Sequence, residues 1–422
     1  MKVLISGASI AGPSLAYWLT RYGHEVTVVE RAAGIRPGGQ AVDFRGRVHM
    51  EVLTKMGILD EIRRHRTENG PLHLIDERGE DLLALPASFT GGQVEIQRGD
   101  LARILYDLTK DAARYVFDDS ITSLQETADG VYATFERSAP GWFDLVVGAD
   151  GLHSNVRRLT FGDESQFVRD SGYNVAIFNA PNRLRLERDG LLYSEPGRGI
   201  SVYPLGGGAS ANVMCVYAAG DATVDRRDIE GQKRLVAGRF AGMGWHTRPL
   251  LADLAGAPYF YHDSISIVRM KSWTKGRVAL LGDAGYGATC GGMGTGLAVV
   301  CAYVLAGEIA AADGDHRVAF PAYEQAIRKF TKACQQVAGG VGPFFAPKTA
   351  RSLRRRTRIY KVLTAGPLLR LLDKLTTKAA TSIELKDYPA PVRHAAAAHA
   401  AAHVPAHVPA HGADDGTVRA RA

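Results

Sequence analysis

The sequence has few cysteines and no long apolar run. Four cysteines occur in 422 residues: Cys215, Cys290, Cys301 and Cys334. None forms a CxxC pair, and their wide spacing argues against both a zinc site and a secreted disulfide framework. Free thiols in a reducing cytosol are the reading that remains, so the protein is expected to be cytoplasmic. No run of 18 apolar residues occurs, which excludes an integral membrane segment at this stage. The opening Val3-Leu4-Ile5 is too short for a signal peptide and reads better as a first strand. No Ser/His/Asp arrangement or metal-ligand cluster stands out. With 46% apolar and 23% charged residues, the composition excludes global disorder. The length predicts two or three domains and burial of about three quarters of the unfolded surface.

A net charge of +7 would suit nucleic acid or an anionic lipid surface if it were spread over the protein. It is not spread. Residues 340–378 carry ten Lys or Arg and one acid, residues 379–422 are balanced, and residues 1–339 are left at −2. The body is nearly neutral, and no nucleic-acid partner is expected.

Residues 2–6 read as a strand, 7–12 as a glycine-rich turn, 13–22 as an amphipathic helix ended by Gly23, and 25–30 as a second strand. This is how a doubly wound α/β domain begins. Helices are expected over 48–56, 101–109, 297–312 and 321–336. Strands are expected over 120–126, 131–137, 144–147 and 278–281. Between 167 and 268 short alternating segments (174–178, 199–203, 212–217) lie between Gly and Pro clusters, which predicts an antiparallel sheet. After Gly339-Gly340 the basic segment reads as one or two helices to about Ile383. The Ala/His/Pro-rich tail after Pro391 reads as disordered.

Three segments carry chemistry. Gly7-Ala8-Ser9-Ile10-Ala11-Gly12 matches the dinucleotide fingerprint G-x-G-x-x-G, with Ser9 in the second glycine place. Gly7 serves the tight turn, Gly12 the close packing, and the helix N-terminus a pyrophosphate. Glu30 ends the second strand, where an acid accepts from a ribose 2′-OH. The second segment, Gly148-Ala149-Asp150-Gly151-Leu152-His153-Ser154-Asn155-Val156-Arg157, follows a strand. Asp150 or Ser154 can be a simple helix cap there. The third is Gly276 to Ala284 with Gly282-Asp283, followed by Gly291-Gly292-Met293-Gly294-Thr295-Gly296, whose glycines suit close approach to a planar or phosphate-bearing ligand.

In this order and spacing the three segments resemble the class A, para-hydroxybenzoate hydroxylase-like flavin monooxygenases, nearest to the tetracycline-modifying and aromatic polyketide members. The resemblance covers roughly residues 1–390. It implies an α/β fold in which an FAD-binding, Rossmann-like (GR2-type) domain (1–72, 97–165 and 271–338) interleaves with an antiparallel-sheet substrate domain (73–96 and 166–270). A bridging C-terminal helical segment (339–390) and a tail (391–422) would follow. Carried over by position, the cofactor-binding candidates begin with Gly7, Ser9, Ile10, Ala11, Gly12, Glu30 and Arg31. They continue with Arg36, Asp43, Arg98, Asp150, Gly151, Gly282, Asp283, Gly294 and Thr295. Glu30 would hold the adenosine ribose, Asp283 the ribityl chain and Arg98 the FAD. Arg36 is associated with NADPH and Asp43 with FAD.

The implied reaction is reduction of FAD by NADPH or NADH, capture of O2 as a flavin C4a-hydroperoxide, and transfer of one oxygen to an aromatic or polyketide-like molecule. The cofactor carries the chemistry, which accounts for the missing triad. Tyr203 and His262 are weak candidates for a catalytic base on the substrate sheet, and an ordinary polar side chain is the competing reading. Cys290 stands where relatives have Pro, beside the flavin loop. A halogenase would need a W-x-W-x-I-P pattern, which the four tryptophans never form. Another oxidoreductase chemistry on this scaffold, or a non-catalytic flavin or drug binder, is the alternative. Arg354, Arg355 and Arg356 face solvent or an anionic membrane on this reading, and the protein is a monomer or weak dimer.

Overall fold

The computed structural model describes residues 1–206, 208–220, 224–290, 293–364 and 378–388. A six-stranded sheet forms its first half. Its order is Thr274–Lys275, Val278–Leu280, Leu145–Gly148, Lys2–Ser6, Glu25–Glu30 and Arg114–Phe117. All neighbours are parallel except the outer pair Thr274–Lys275 and Val278–Leu280. Val3, Leu4, Ile5, Val146, Val147 and Ala279 are fully buried. Continuous apolar strands of this kind are required where helices cover both faces of a parallel sheet. The fingerprint helix Ala11–Arg21 packs along Gly294–Ala311, which packs in turn on His316–Ala338.

Register decides where the chemistry gathers. Ser6 pairs with Gly148, and Gly148 with Leu280. The three motif loops therefore leave the carboxyl ends of three adjacent strands, where open α/β sheets bind ligands.

The second sheet has seven strands: Phe260–Val268, Val168–Pro181, Ser210–Ala218, Arg198–Pro204, Gly190–Glu195, Leu72–Ile75 and Asp81–Leu85. Every pair is antiparallel except Gly190–Glu195 with Leu72–Ile75. The alternating segments expected within 167–268 all lie in these strands. Helices Ile229–Phe240 and Thr247–Ala255 close over one face, where Ala176, Phe178, Cys215 and Tyr217 are buried. Val94–Gln97 joins neither sheet and pairs with Ala41–Phe44.

Three helices start three or more residues earlier than the sequence suggests, Arg98–Thr109 (expected from 101) and two others. One begins at His316 rather than 321, because the Asp315 side chain accepts from the Arg317 amide at 3.0 Å and caps it. Pro321 is carried inside that helix. The other begins at Gly294 rather than 297.

The basic segment forms Val341–Phe345 and Ala350–Thr364. Residues 365–377 of the expected bridging segment (339–390) and the whole tail lie outside the described residues. Arg354 and Arg355 are exposed, but Arg356 is not. It is 8% exposed and donates to Phe344 O at 2.7 Å and Ser194 Oγ at 3.0 Å. Three successive helical residues are spread over about 200°, so all three cannot face one membrane. Further on, Ala380 is fully buried in the dinucleotide half, Lys386 pairs with Glu308 at 2.6 Å, and the Tyr388 hydroxyl donates to Glu308 at 2.9 Å.

Candidate active site

A cavity of about 2040 Å³ runs from the carboxyl ends of the parallel strands to the seven-stranded sheet. Ligand pockets ordinarily measure about 300–1,000 Å³, so this one has room for a cofactor and a substrate together.

The dinucleotide end is built by backbone fit. Gly7 has φ +107°, and a Cβ there would lie 2.4 Å from Ala149 O. A Cβ on Gly12 would lie 1.9 Å from Gly7 O. Neither position accepts a side chain, so the turn hugs the neighbouring loop and leaves its open side to the cavity, lined by Gly7, Ser9, Ile10 and Ala11. Gly12 is behind the turn, as a packing residue. The Glu30 carboxylate accepts from Ala8 N at 2.8 Å and Ala32 N at 2.9 Å. Each oxygen keeps a lone pair for a ribose hydroxyl. Arg31 is exposed at the rim. Arg98 opens the helix Arg98–Thr109, and its guanidinium donates to Ser9 Oγ at 2.7 Å.

Asp150 lines the cavity and also organises a helix start. It accepts from Asn155 N (2.9 Å), Val156 N (3.1 Å) and Ser6 Oγ (3.2 Å), and from the Ser154 hydroxyl. Ser154 itself caps Asn155–Phe161. Burial pushes the Asp150 carboxyl up despite these donors. Gly151, with φ +84°, lines the cavity next to it. Arg157, with no exposed surface, donates to Leu152 O at 2.6 Å and Ala284 O at 2.8 Å. It thereby ties the second motif to the third. Gly282 has φ +64°, and its position admits the Ala11 methyl close by.

Asp283 is different in kind. Its side chain is open to the cavity while protein surrounds it elsewhere. No group among the described residues hydrogen-bonds its carboxylate. Burial pushes its pKa up, opposed by the Arg98 charge. A carboxylate so placed meets water in the open cavity and offers its lone pairs to any ligand donor that displaces that water. Gly294 and Thr295 line the cavity beside it. The donor-free Asp283, the Glu30 carboxylate and the turn bracketed by Gly7 and Gly12 together fit an FAD.

The substrate side differs from expectation at one candidate. Tyr203 lines the cavity, with its ring laid over Gly190. His262 does not. Strand alternation turns it to the helix-covered face, where it stacks between Phe260 and Tyr217 and bonds the Tyr217 hydroxyl at 2.7 Å. Its neighbours Tyr261 and Asp263 take the other face. Arg36 lines the rim. Asp43, 5% exposed, pairs with Arg45 and lies near Glu95. Burial and then the Asp43 charge push Glu95 up to about 7. Cys290 lines the cavity at φ +59°, so the loop that departs from the family pattern does open onto it.

Sequence reading missed one cluster. His153 bonds Glu164 through Nδ1 at 2.9 Å and Asp263 through Nε2 at 2.8 Å. It joins a loop of the parallel sheet to a strand of the other. Burial opposes ionisation of Asp263, yet the His153 bond and charge hold it below the usual carboxylate range. Glu164 is likewise held low, by His153 and Arg226. The aromatics Phe344, Phe345 and Tyr360 of the C-terminal helices also line the cavity. No spacing signal in the sequence announces either group.

A protein family described as FAD binding domain matches residues 1–337. An uncharacterised protein of Mycobacterium tuberculosis is 42% identical over 352 residues, covering 82% of this chain and 94% of its own. A flavin-dependent monooxygenase of Legionella longbeachae is 35% identical over 353 residues, covering 82% of this chain and 90% of its own. Among solved structures, the tetracycline destructase Tet(51) is similar at 33% identity and TM-score 0.79, over 92% of this chain and 99% of that one.

Proposed function

The chain belongs to the FAD-binding-domain family and is an FAD-dependent monooxygenase, and from that premise we propose that it inserts one atom of O2 into an aromatic or polycyclic, polyketide-like small molecule at the expense of NADPH or NADH. The observation that carries this reading is the continuous cavity. One end offers a dinucleotide turn, and the other a sheet face and an aromatic wall. FAD held by these residues would supply the activation of oxygen, with electrons from the nicotinamide nucleotide.

The protein's own part is binding, orientation and exclusion of water. Glu30 accepts from the adenosine ribose, Asp283 from the ribityl hydroxyls, and Arg98 donates to the phosphates. Arg36, at the rim, meets the nicotinamide nucleotide. Tyr203, Tyr261, Phe344 and Phe345 enclose a flat substrate between the sheet and the C-terminal helices, and a dry wall strengthens every polar contact within it. Tyr261 is the better-placed polar group for a substrate hydroxyl than His262. Burial and the Asp263 charge hold its phenol protonated, and its hydroxyl donates to Asp263 Oδ2 at 3.3 Å, which leaves the phenol oxygen to accept from a substrate hydroxyl.

Purified protein is expected to be yellow. Stopped-flow absorbance should show bleaching by NADPH or NADH, faster with a substrate present, and mass spectrometry should show a +16 Da product that depends on O2. A colourless protein, or a flavin that neither nucleotide reduces with any ligand of a polycyclic aromatic panel, overturns the proposal.

A further inference from the structure

The fingerprint calls for glycine at its second position, so that the backbone can approach a pyrophosphate. This chain has Ser9 there, and the added Cβ and hydroxyl need a reason. The structure supplies one. Ser9 Oγ accepts a hydrogen bond from Arg98 Nη2 at 2.7 Å, across 89 residues of sequence. Arg98 is also held at its root. Its backbone N–H donates to Gln40 O at 3.1 Å, and the Gly39 backbone packs against its side chain, where a Cβ would come within 3.2 Å. Both side chains line the cavity.

We propose that Ser9 is a positioning residue that presets the Arg98 guanidinium toward the pyrophosphate of FAD. The inference rests on the FAD assignment. The chemistry divides cleanly between the two groups. A guanidinium has five donors in a fixed fork, so one spent on Ser9 leaves others for phosphate oxygens. A hydroxyl that accepts from Arg98 keeps its own hydrogen to donate. An arginine already fixed loses less side-chain freedom when the anion arrives. The serine thus trades some backbone access for an ordered cation.

The test is a double-mutant cycle on FAD affinity, read by quenching of flavin fluorescence as flavin-stripped protein is titrated with FAD. Ser9→Ala should weaken binding about tenfold, and Ser9→Thr should restore it to within about threefold. In an Arg98→Ala background the same Ser9→Ala change should cost less than about twofold. Added salt should narrow the gap between wild type and Ser9→Ala, because the lost contact is to an anion. An equal loss in both backgrounds would mean that the serine acts on the flavin directly, and would overturn the proposal. So would Ser9→Gly binding FAD as tightly as the wild type. A wild-type chain that takes up no FAD would instead overturn the cofactor assignment, and the unfolding temperature of each stripped variant separates misfolding from both.

Discussion

Single residues divide here by whether the protein already satisfies them. Asp150 is spent on helix amides and hydroxyls, whereas Asp283 waits for donors from outside. Asp283→Ala should therefore lose flavin, with the ratio of 450 nm to 280 nm absorbance of purified protein falling at least about tenfold. Full retention would remove Asp283 from the site. Glu95 offers a pH test. A carboxyl held near 7 in the folded protein, against about 4.3 unfolded, keeps its proton in the folded state alone between those values. Stability then falls as pH rises through that window. Glu95→Gln should flatten the decline and gain about 1–3 kcal/mol at pH 8, read by urea unfolding of flavin-free protein. Tyr203→Phe and His262→Asn should behave oppositely, the first altering substrate KM and the second mainly Tm. The parity of the strand explains how His262 misled. A strand at His262 was expected from the sequence, but which face looks into the cavity depends on helices 229–255 covering the other. Glu30 stood out in the sequence because it ends a strand at a fixed step from the glycine turn, and Asp283 because it follows Gly282 just beyond a strand.

At the scale of elements, the three motif loops form one body because their strands are neighbours, and Arg157 fastens two of them. Its separation from Ala284 is 127 residues, yet it bonds that carbonyl and Leu152's. Arg157→Met keeps the bulk and strands both carbonyls. It should cost about 2–4 kcal/mol in urea unfolding. The motif was readable as a pattern, while this fastening role emerges only when the strands are laid side by side. The same applies to the arginine triplet. Helical periodicity already forbids three successive side chains from sharing a face, but which one turns inward depends on the Phe344 carbonyl and the Ser194 hydroxyl waiting there. Arg356→Ala should lower Tm, and Arg354→Ala with Arg355→Ala should leave it unchanged within a degree or two. Co-sedimentation of the double variant with anionic vesicles measures whatever lipid contact exists.

Across the whole molecule, the two sheets meet at His153, which holds a carboxylate of each half. Both Asp263 and Glu164 ionise more readily in this setting than unfolded, so the stability they contribute is present above about pH 4 and drains away as pH falls below it. Acid should loosen this junction, and His153→Asn should blunt that acid sensitivity in Tm-versus-pH scans. The fold class could be read from the sequence because periodicity is local. The junction could not, since His153 and Asp263 are 110 residues apart and nothing in either neighbourhood refers to the other. The strand order has one further consequence. Val278–Leu280 completes the parallel row 272 residues after Lys2–Ser6 ends, and brings Asp283 with it. A ribosome therefore emits the fingerprint turn first and its counterpart far later, and the helix Gly294–Ala311 that seats both comes later still. A nascent chain ending at residue 270 should leave Leu145–Gly148 without its outer parallel partner and capture no flavin, so that cofactor uptake waits until the chain has passed residue 311.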